Sequence, residues 1–497
     1  MGIRERLALL LREAPAEAKA VEHDAAWWSW GRLRETAAAL VRELEAAGLG
    51  ADTRIGIVVE NRPEHVAALL AVLATGRTVV TVSPLQPAAR MIADIERSAL
   101  PVLIAGPEIL ARERMRDVAG LAVRLGPDGS VRALGGVPRA EHQVSPGIAV
   151  EMLTSGTTGP PKRVRLSVRQ LDESLGSSGQ SPKEGRLLSA SASLVATPLV
   201  HIGGLWGVLA CLYAGRRLVL MPRFELDPWV SAVERHQLRA AGLVPAALRS
   251  VLDADVAPAR LASLQVVTSG TTACPAELAQ EFFRRYGIRV LMTYGATEFA
   301  GAVAGWTLPL HEQWWEHKAG SAGRAFPGVQ LRVTGADGAE LPAGETGLLE
   351  VRAAQTAQGG REWVRTSDLA RIDGDEFVWI VGRADDTIVR GGFKIQPETV
   401  KRALEAHPAV REAAVAGLPD TRLGAIPVAA VEVEPGSARP SADELMALCR
   451  KQLLPYEVPK HVVVVAALPR TPSTKVSRVE LLELVRAAQA LDEEVSQ

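Results

Sequence analysis

The sequence predicts an α/β protein with a large N-terminal domain, closed by a small β-rich subdomain, and a small α+β C-terminal domain. The first observation is that short apolar β-type runs alternate with amphipathic helical stretches through the first 300 residues. This pattern is typical of parallel sheets covered by helices. The second is a change to a hairpin pattern from about residue 328, and the third is a compact α+β pattern after GRADD at 382–386.

The strands of the first region follow the apolar runs. They are predicted in RIGIVVE at 54–60, RTVVTVS at 77–83, PVLIAG at 101–106, LQVVTSG at 264–270 and IRVLMTYG at 288–295. A helix through WVSAVERHQL is predicted to begin at Asp227-Pro228, with the aspartate as N-cap and the proline at the first helical position.

The later elements follow from turn and cap signals. Turns are predicted at Asp337-Gly338 and Gly374-Asp375, between alternating strands. Beyond them we expect a helix in ETVKRALEAH, strands in REAAVAGL and IPVAAVEVE, and a helix that begins with the capping box Ser441-Ala442-Asp443-Glu444. The domain boundary is predicted near Asp385, which gives domains of residues 1–384 and 385–497.

Composition argues against several classes of function. Of the 497 residues, 47% are hydrophobic, so the chain can bury more than one core. The 56 Lys plus Arg nearly cancel the 57 Asp plus Glu, which leaves no electrostatic footprint for nucleic acid or an anionic membrane surface. Arg12 and Glu13 interrupt an N-terminal stretch too charged for a signal peptide or membrane span, so we expect a cytoplasmic protein. Cys211, Cys274 and Cys449 are isolated and indicate neither disulfides nor a zinc site.

The pentapeptide TSGTT occurs twice, at 154–158 and 268–272. The first copy follows a probable strand in AVEMLTSGTTGPPKRV and leads to Lys162. Glycines, hydroxyls and a nearby lysine favour phosphate binding, although the Walker pattern is absent. The second copy leads to ACPAEL, where Pro275 is predicted to begin a helix and no cation follows closely. We expect only the first copy to hold polyphosphate.

Five motifs in order resemble those of the adenylate-forming superfamily, which includes acyl-CoA synthetases, peptide-synthetase adenylation domains and beetle luciferases. They are TSGTTGPPKRV, TYGATE at 293–298, RTSDL at 365–369, GRADDTIVRGGFKIQP at 382–397 and LPRTPSTKVSR at 468–478. The resemblance implies an N-terminal domain of two sheets with covering helices and a mobile C-terminal domain. It also implies the use of ATP, Mg²⁺ and coenzyme A.

The resemblance implies a set of ATP contacts. Glu298 would bind Mg²⁺, Thr297 would touch the α-phosphate region, and Tyr294 would lie against adenine. Asp368 would accept hydrogen bonds from the ribose hydroxyls, with Arg383 near the same sugar. The polyphosphate would be held by Thr154, Ser155, Gly156, Thr157, Thr158, Gly159 and Lys162. The other nucleotide contacts would come from Gly270, Thr271, Thr272, Thr293, Gly295, Ala296, Ile380 and Lys394.

The resemblance also assigns catalysis and domain movement. Lys475 would neutralise charge between the carboxylate and the α-phosphate in the transition state. The C-terminal domain would then rotate about Asp385 and bring Gly391 and Gly392 to a thiol channel, with Lys394 nearby. This chain departs from the family pattern at Arg163, Ser367 and Thr474, where relatives commonly have glycine, and at Met292, where an amide is common.

The acid would lie behind the adenylate. His201 resembles the position that gates the carboxylate end of that pocket. Small residues are the candidates for its wall: Gly203, Gly204, Thr271, Ala296 and Gly301. They leave room for a ring or an acyl chain, and the sequence offers no acidic residue for recognising an amino group.

Three functions remain open from the sequence. The first is an AMP-forming acid–CoA ligase that acts on a small-molecule carboxylic acid. The second is an adenylating enzyme that transfers the acyl group to the phosphopantetheine of an external carrier protein or to another biosynthetic nucleophile. The third is a degenerate nucleotide-binding regulator, motivated by Arg163, Ser367 and Thr474. We expect a monomer or homodimer with no nucleic-acid or membrane partner.

Overall fold

The structure is a computed structural model that describes residues 1–138, 144–153, 163–179, 182, 185–270, 273–390, 393–420, 422–471 and 475–495. For Lys394 and residues 489–495 it describes the backbone alone.

The helices of this described part are numbered in chain order. They are α1 Ile3–Glu13, α2 Trp30–Ala46, α3 Pro63–Ala74, α4 Ala88–Ser98, α5 Pro107–Leu110, α6 Val168–Ser177, α7 Ile202–Tyr213, α8 Leu226–His236, α9 Pro245–Asp253, α10 Ala276–Tyr286, α11 Leu308–Lys318, α12 Pro397–Glu405, α13 Ala442–Gln452 and α14 Arg478–Val495. Short 3₁₀ turns cover Pro258–Leu261 and Thr297–Phe299.

The strands are numbered in the same way. They are β1 Lys19–His23, β2 Ala26–Ser29, β3 Arg54–Val58, β4 Thr78–Val82, β5 Val102–Ala105, β6 Leu121–Leu125, β7 Val131–Gly136, β8 Ile148–Leu153, β9 Arg163–Ser167, β10 Ala192–Val195, β11 Arg217–Leu220, β12 Ala240–Gly242, β13 Val266–Ser269, β14 Arg289–Ala296, β15 Gly301–Gly305, β16 Arg324–Ala325, β17 Val329–Thr334, β18 Gly347–Ala353, β19 Val364–Ile372, β20 Val378–Arg383, β21 Ile388–Arg390, β22 Phe393–Ile395, β23 Val410–Asp420, β24 Gly424–Val433 and β25 His461–Val465.

A seven-stranded sheet of order β7-β6-β5-β3-β4-β8-β9 confirms the prediction of helix-covered parallel strands. Its five inner strands pair in parallel, and β7 and β9 pair with them antiparallel at the edges. Every residue of β3 and β4 is buried, which explains why these runs are almost continuously apolar. Helix α3 is buried along nearly its whole length.

Two further sheets follow, and the second contains the other predicted strands, β13 and β14. One has the order β10-β11-β1-β2, and the other has the order β12-β13-β14-β15-β16. In the second, β12, β13 and β14 pair in parallel, whereas β15 pairs antiparallel with β14. The α/β class is therefore confirmed, with three sheets by strand pairing in this region rather than two.

The two predicted turns and the α+β ending are also present. Gly338 has φ +83° in its turn, and Glu376 has φ +64° in the hairpin that joins β19 to β20. Strands β17 to β20 form a four-stranded sheet. Strands β22, β21, β24 and β23 form a sheet in that order, and β25 pairs with β24 as a fifth strand. The hydrophobic core of this sheet also contains Val400 and Leu404 of α12 and Leu445 of α13.

Three predicted helix starts can now be compared with the structure. Helix α8 begins at Leu226 with Glu225 as N-cap, so the prediction for Asp227-Pro228 was wrong. Asp227 and Pro228 lie in the first turn, where a proline breaks no intrahelical bond. Pro275 is the N-cap of α10 rather than its first residue. The Ser441 side chain accepts from the Glu444 amide, as predicted for a cap.

The described residues divide into two compact units. The first contains 1–153, 163–330 and 351–364, and the second contains 331–350 and 365–495. Within this part of the chain, no helix is both long enough and apolar enough to cross a membrane. The three cysteines are buried and form no disulfide.

Candidate active site

Part of the predicted site lies outside the described residues. This applies to the whole first TSGTT loop, to two residues of the second copy and to the glycine pair of the predicted thiol channel. They are Thr154, Ser155, Gly156, Thr157, Thr158, Gly159, Lys162, Thr271, Thr272, Gly391 and Gly392. Lys394 lies on β22, opposite Val389 of β21.

In the first unit, the TYGATE segment forms the end of β14 and the turn into β15. Tyr294 pairs with Ala304 and Ala296 pairs with Gly301 across the hairpin. Thr297 begins the 3₁₀ turn, and Ala300 closes it in the left-handed conformation with φ +54°. Glu298 is exposed, whereas Phe299 and Ala300 are fully buried. The turn therefore exposes Glu298 at the surface, while the two residues that follow it are buried.

Two glycines permit close backbone approach around Tyr294. A Cβ at Gly295 would lie 2.2 Å from the Gly301 carbonyl oxygen and 2.6 Å from Ala302 Cα. A Cβ at Gly270 would lie 2.6 Å from Thr293 Oγ1. The Thr293 hydroxyl donates to the Ser269 carbonyl at 3.4 Å, which joins β14 to the end of β13. These contacts bring Gly270, Thr293 and Gly295 together with Tyr294.

His201 is the N-cap residue of α7 and is partly buried. Gly204, in the first turn of α7, is buried, and a Cβ there would lie 2.3 Å from the Pro198 carbonyl oxygen. Gly203 is exposed. The start of α7 therefore packs closely against the segment that precedes His201.

Sequence reasoning missed the residue that fixes this preceding segment. Asn61, which is buried, accepts from the Leu199 amide at 2.8 Å and donates to the carbonyls of Thr197 at 3.0 Å and Met221 at 2.9 Å. One amide side chain thus ties the chain before His201 to the end of β11. The only signal in the sequence was a polar residue soon after the buried strand β3.

In the second unit, β19 and β20 bring Asp368 opposite Arg383. The Arg383 guanidinium donates to both carboxylate oxygens of Asp385, at 2.8 and 2.7 Å, and to Ser367 Oγ at 2.6 Å. This bidentate bond raises the pKa of Arg383 and lowers that of Asp385. Ser367, where the family has glycine, therefore has a partner in this chain. Ile380 lies on β20 opposite Ala370.

The backbone of Lys475 is tied to Thr471, and that of Val476 to Arg470. The Thr471 amide and hydroxyl donate to the Lys475 carbonyl at 2.7 and 3.1 Å, and Arg470 forms a bridge with Val476. Burial, and to a lesser extent the Arg383 guanidinium, lowers the pKa of Lys475, while the Asp368 carboxylate acts in the opposite direction. The second unit therefore brings Lys475, Asp368 and Arg383 into electrostatic contact.

Each unit by itself carries side chains of types that bind a nucleotide or a magnesium ion. No group of three or more His, Cys, Asp or Glu in the described part could hold a metal by itself. Magnesium commonly binds through one or two carboxylates plus phosphate and water oxygens, so an exposed Glu298 suffices as the protein ligand. The paired Asp368 and Arg383 beside Lys475 supply an acceptor for hydroxyls and positive charge for an anion.

Comparison with known proteins agrees with this chemistry. The chain matches the AMP-binding enzyme family over residues 11–359 and the AMP-binding enzyme C-terminal domain over 400–475. It is 32% identical to an indoleacetate–CoA ligase of Aromatoleum aromaticum, and the alignment covers 92% of this chain and 93% of that protein. It is also 32% identical to a sulfoacetate–CoA ligase of Cupriavidus necator, with 91% and 92% covered.

Solved structures match over nearly the whole chain. The amide bond synthetase McbA from Marinactinospora thermotolerans is 27% identical and has a TM-score of 0.79, with 96% of this chain and 99% of that chain covered. ATP-bound MatB from Rhodopseudomonas palustris is 24% identical and has a TM-score of 0.81, with 97% and 99% covered. The second likeness concerns the fold alone.

Proposed function

The chain belongs to the AMP-binding enzyme family, and from this we propose that it is an AMP-forming acid–CoA ligase. In the first step, a carboxylate oxygen of the acid attacks the α-phosphorus of ATP, and the bond to the β-phosphate breaks to release pyrophosphate. In the second step, the sulfur of coenzyme A attacks the acyl carbon, AMP leaves and the thiol proton passes to solvent. The products are acyl-CoA, AMP and pyrophosphate.

The observation that carries this proposal is the environment of Lys475. Joining a carboxylate to a polyphosphate requires positive charge at the reacting atoms more than acid–base chemistry. Lys475 is partly buried and interacts electrostatically with a second cation, Arg383, and with a carboxylate, Asp368. A lysine in an ordinary solvated loop would have neither the burial nor these partners. We propose that it neutralises the charge that develops between the acid and the α-phosphate.

The remaining roles follow the motif positions. Glu298 and Thr297 would face Mg²⁺ and the α-phosphate, Tyr294 would lie against adenine, and Asp368 would receive the ribose hydroxyls. The Thr154–Lys162 sequence would hold the β- and γ-phosphates, with Thr271 and Thr272 on another side. Bound Mg²⁺ would supply charge neutralisation for the phosphates. His201, Gly203, Gly204, Ala296 and Gly301 would border the acid.

For the second step we propose a division into residues 1–384 and 385–497, with Asp385 as hinge. The bidentate bond from Arg383 to Asp385 joins residues on either side of this boundary. This bond would be formed in one state of the hinge and broken in the other. Gly391 and Gly392, with Lys394 nearby, would border the thiol channel in the second state.

The acid is proposed to be an aromatic or arylalkyl carboxylate. The support is the names of relatives such as indoleacetate–CoA ligase and feruloyl-CoA synthase. Coenzyme A is proposed as acceptor because most of the related proteins are named for it. A carrier-protein phosphopantetheine or an amine is the alternative, and the likeness to an amide bond synthetase favours including the amine.

The test is a pyrophosphate-release screen over aromatic, fatty, short-chain and amino acids, each with and without coenzyme A. We expect acid-dependent release with aromatic acids and a thioester product when coenzyme A is present. If the adenylate forms no thioester with coenzyme A but reacts with an amine or a pantetheinylated carrier protein, that nucleophile replaces coenzyme A as the acceptor. No acid-dependent release from the wild-type protein would leave the nucleotide-binding regulator instead.

We also propose that the protein is a cytoplasmic monomer or homodimer. Three buried free thiols are typical of a reducing compartment, where ATP and coenzyme A are available. Cell fractionation and multi-angle light scattering of the purified protein test location and oligomeric state.

A further inference from the structure

The turn that carries Glu298 is held from its buried side by three polar side chains that no sequence motif includes. They are Gln170 and Ser174 of α6, and Gln355, which follows β18. All three belong to the first unit, and each is at most 3% exposed. Buried polar side chains of this kind are retained only where they satisfy hydrogen bonds.

Gln355 makes the central contacts. Its Nε2 donates to the Phe299 carbonyl at 2.8 Å and to the Ala302 carbonyl at 3.0 Å. Its Oε1 accepts from the Ser177 hydroxyl at 3.2 Å. Gln355 therefore joins the two sides of the turn to each other and to the end of α6.

Gln170 and Ser174 hold two further carbonyls of the same turn. Gln170 Nε2 donates to the Glu298 carbonyl at 3.4 Å and to the Gln355 carbonyl at 3.3 Å. The Ser174 hydroxyl donates to the Ala300 carbonyl at 2.9 Å and accepts from Trp206 Nε1 at 3.0 Å. Four carbonyls of this turn thus accept hydrogen bonds from side chains. Regular strand pairing cannot satisfy these carbonyls in a tight turn.

The oxygen of Gln170 has a separate task. It accepts from the Ser167 amide and hydroxyl, while the Ser167 hydroxyl accepts from the Gln170 amide, which makes a capping box at the start of α6. Strand β9 and α6 directly follow the phosphate-binding sequence that ends at Lys162. The same amide therefore connects the element after that sequence with the backbone of Glu298.

We propose that Gln355, Gln170 and Ser174 are positioning residues for the magnesium ligand. They fix the backbone of residues 298–302 so that the Glu298 carboxylate meets Mg²⁺·ATP in one orientation. The inference rests on the proposed function, which assigns Mg²⁺ to Glu298. Substitution of an outer partner that orients a metal ligand commonly lowers metal affinity by about 10- to 100-fold.

The experiment compares Gln355→Met, Ser174→Ala and the control Gln280→Met. Gln355→Met removes both donors at nearly constant volume. Gln280 accepts from Trp315 Nε1 at 2.6 Å in the same unit, so its variant loses a side-chain bond that does not touch the turn. Calorimetric titration measures ATP binding with Mg²⁺ and with a chelator, and pyrophosphate release measures the Mg²⁺ concentration for half-maximal rate.

We expect Gln355→Met to weaken binding of Mg²⁺·ATP and to raise the half-maximal Mg²⁺ concentration by about tenfold or more. Binding of ATP without metal should stay within about twofold of wild type, and Gln280→Met should leave both values unchanged. Ser174→Ala, which removes a single donor, should show the same change to a smaller extent. It decides the question if Gln355→Met does not fold.

Two results would overturn the inference. One is an unchanged Mg²⁺ response in variants that fold, while the wild type depends on Mg²⁺. The other is an equal loss of ATP binding with and without metal, which would indicate a structural role only. A wild-type protein that binds ATP independently of Mg²⁺ would instead remove the proposed role of Glu298, and with it this inference.

Discussion

The guanidinium of Arg163 lies 2.7 Å from the carboxylate of Asp94, and their side chains are only 14% and 4% exposed. Arg163 also donates to the Thr81 carbonyl at 3.0 Å. Since Arg163 follows Lys162 and begins β9, this contact fixes the strand that directly follows the sequence proposed to bind phosphate. The arginine that stands here in place of the family's glycine therefore forms an ion pair with Asp94 of α4.

Replacing Arg163 alone should be costly. Arg163→Met leaves the Asp94 carboxylate buried without its partner, and we expect a loss of about 3–5 kcal/mol in the free energy of unfolding. The KM for ATP should rise as well. The double variant Arg163→Met/Asp94→Leu should recover most of the stability, because an apolar pair can replace a buried ion pair. Urea unfolding of the three proteins checks this; a single variant as stable as wild type would contradict it.

Lys475→Ala should separate the two half-reactions. We expect adenylate formation, measured as pyrophosphate release, to fall to background because the buried cation beside Asp368 is lost. Thioester formation from a pre-made acyl-adenylate should remain largely intact. Lys451→Ala, at an exposed site on α13, is the control. Equal loss of both steps would argue against rotation about Asp385.

The alkaline limb of the pH profile should report Lys475. Burial and Arg383 lower its pKa below the ordinary 10.5, so the free enzyme loses the cation as pH rises through that lowered value. We expect kcat/KM for ATP to decline accordingly before pH 10.5. Asp368→Asn removes the group that opposes the shift and should move this limb to still lower pH. A limb at the same pH in both proteins would rule out Lys475 as the titrating group.

Gly204→Ala should disturb the start of α7. The added Cβ would lie 2.3 Å from the Pro198 carbonyl oxygen and 2.5 Å from that of Thr197, which are backbone atoms. We expect a lower melting temperature and a several-fold rise in KM for the acid. Gly176→Ala is matched, since it also lies in a helix and its Cβ would meet nothing within 4 Å. It should be neutral or stabilising by up to about 1 kcal/mol.

His65 should make the fold sensitive to mild acid. Its side chain is 1% exposed, and burial lowers its pKa from 6.5 to about 3. Because the unfolded chain binds this proton first, the contribution of His65 to stability should be constant above about pH 6.5 and fall as pH decreases toward 3. His65→Gln should flatten the dependence of the melting temperature between pH 6.5 and 4. An identical slope would contradict the assignment; His311, whose pKa burial lowers to about 4, accounts for part of the remaining slope.

The buried strands were predictable because their signal is local. The runs that became β3, β4 and β14 are rich in apolar residues, and the turn before Phe377 carries Gly374. Lys475 could be named by its motif, but its burial beside Arg383 depends on residues about ninety positions earlier. The contacts of Gln355 and Asn61 could not be read from the sequence, because their partners are main-chain groups 56 and 138 residues away. The start of α8 was misplaced because proline suits any position of a first helical turn.

The three bonds of Asn61 have a practical meaning for engineering. They end at Thr197, Leu199 and Met221, outside the span of α7 itself. A graft that exchanges residues 202–213 for those of a relative would leave this anchor intact, provided that Gly204 is kept. Under the proposed function, variation for new acids can be confined to α7 with this attachment point fixed, provided that Trp206, which donates to Ser174, is kept as well.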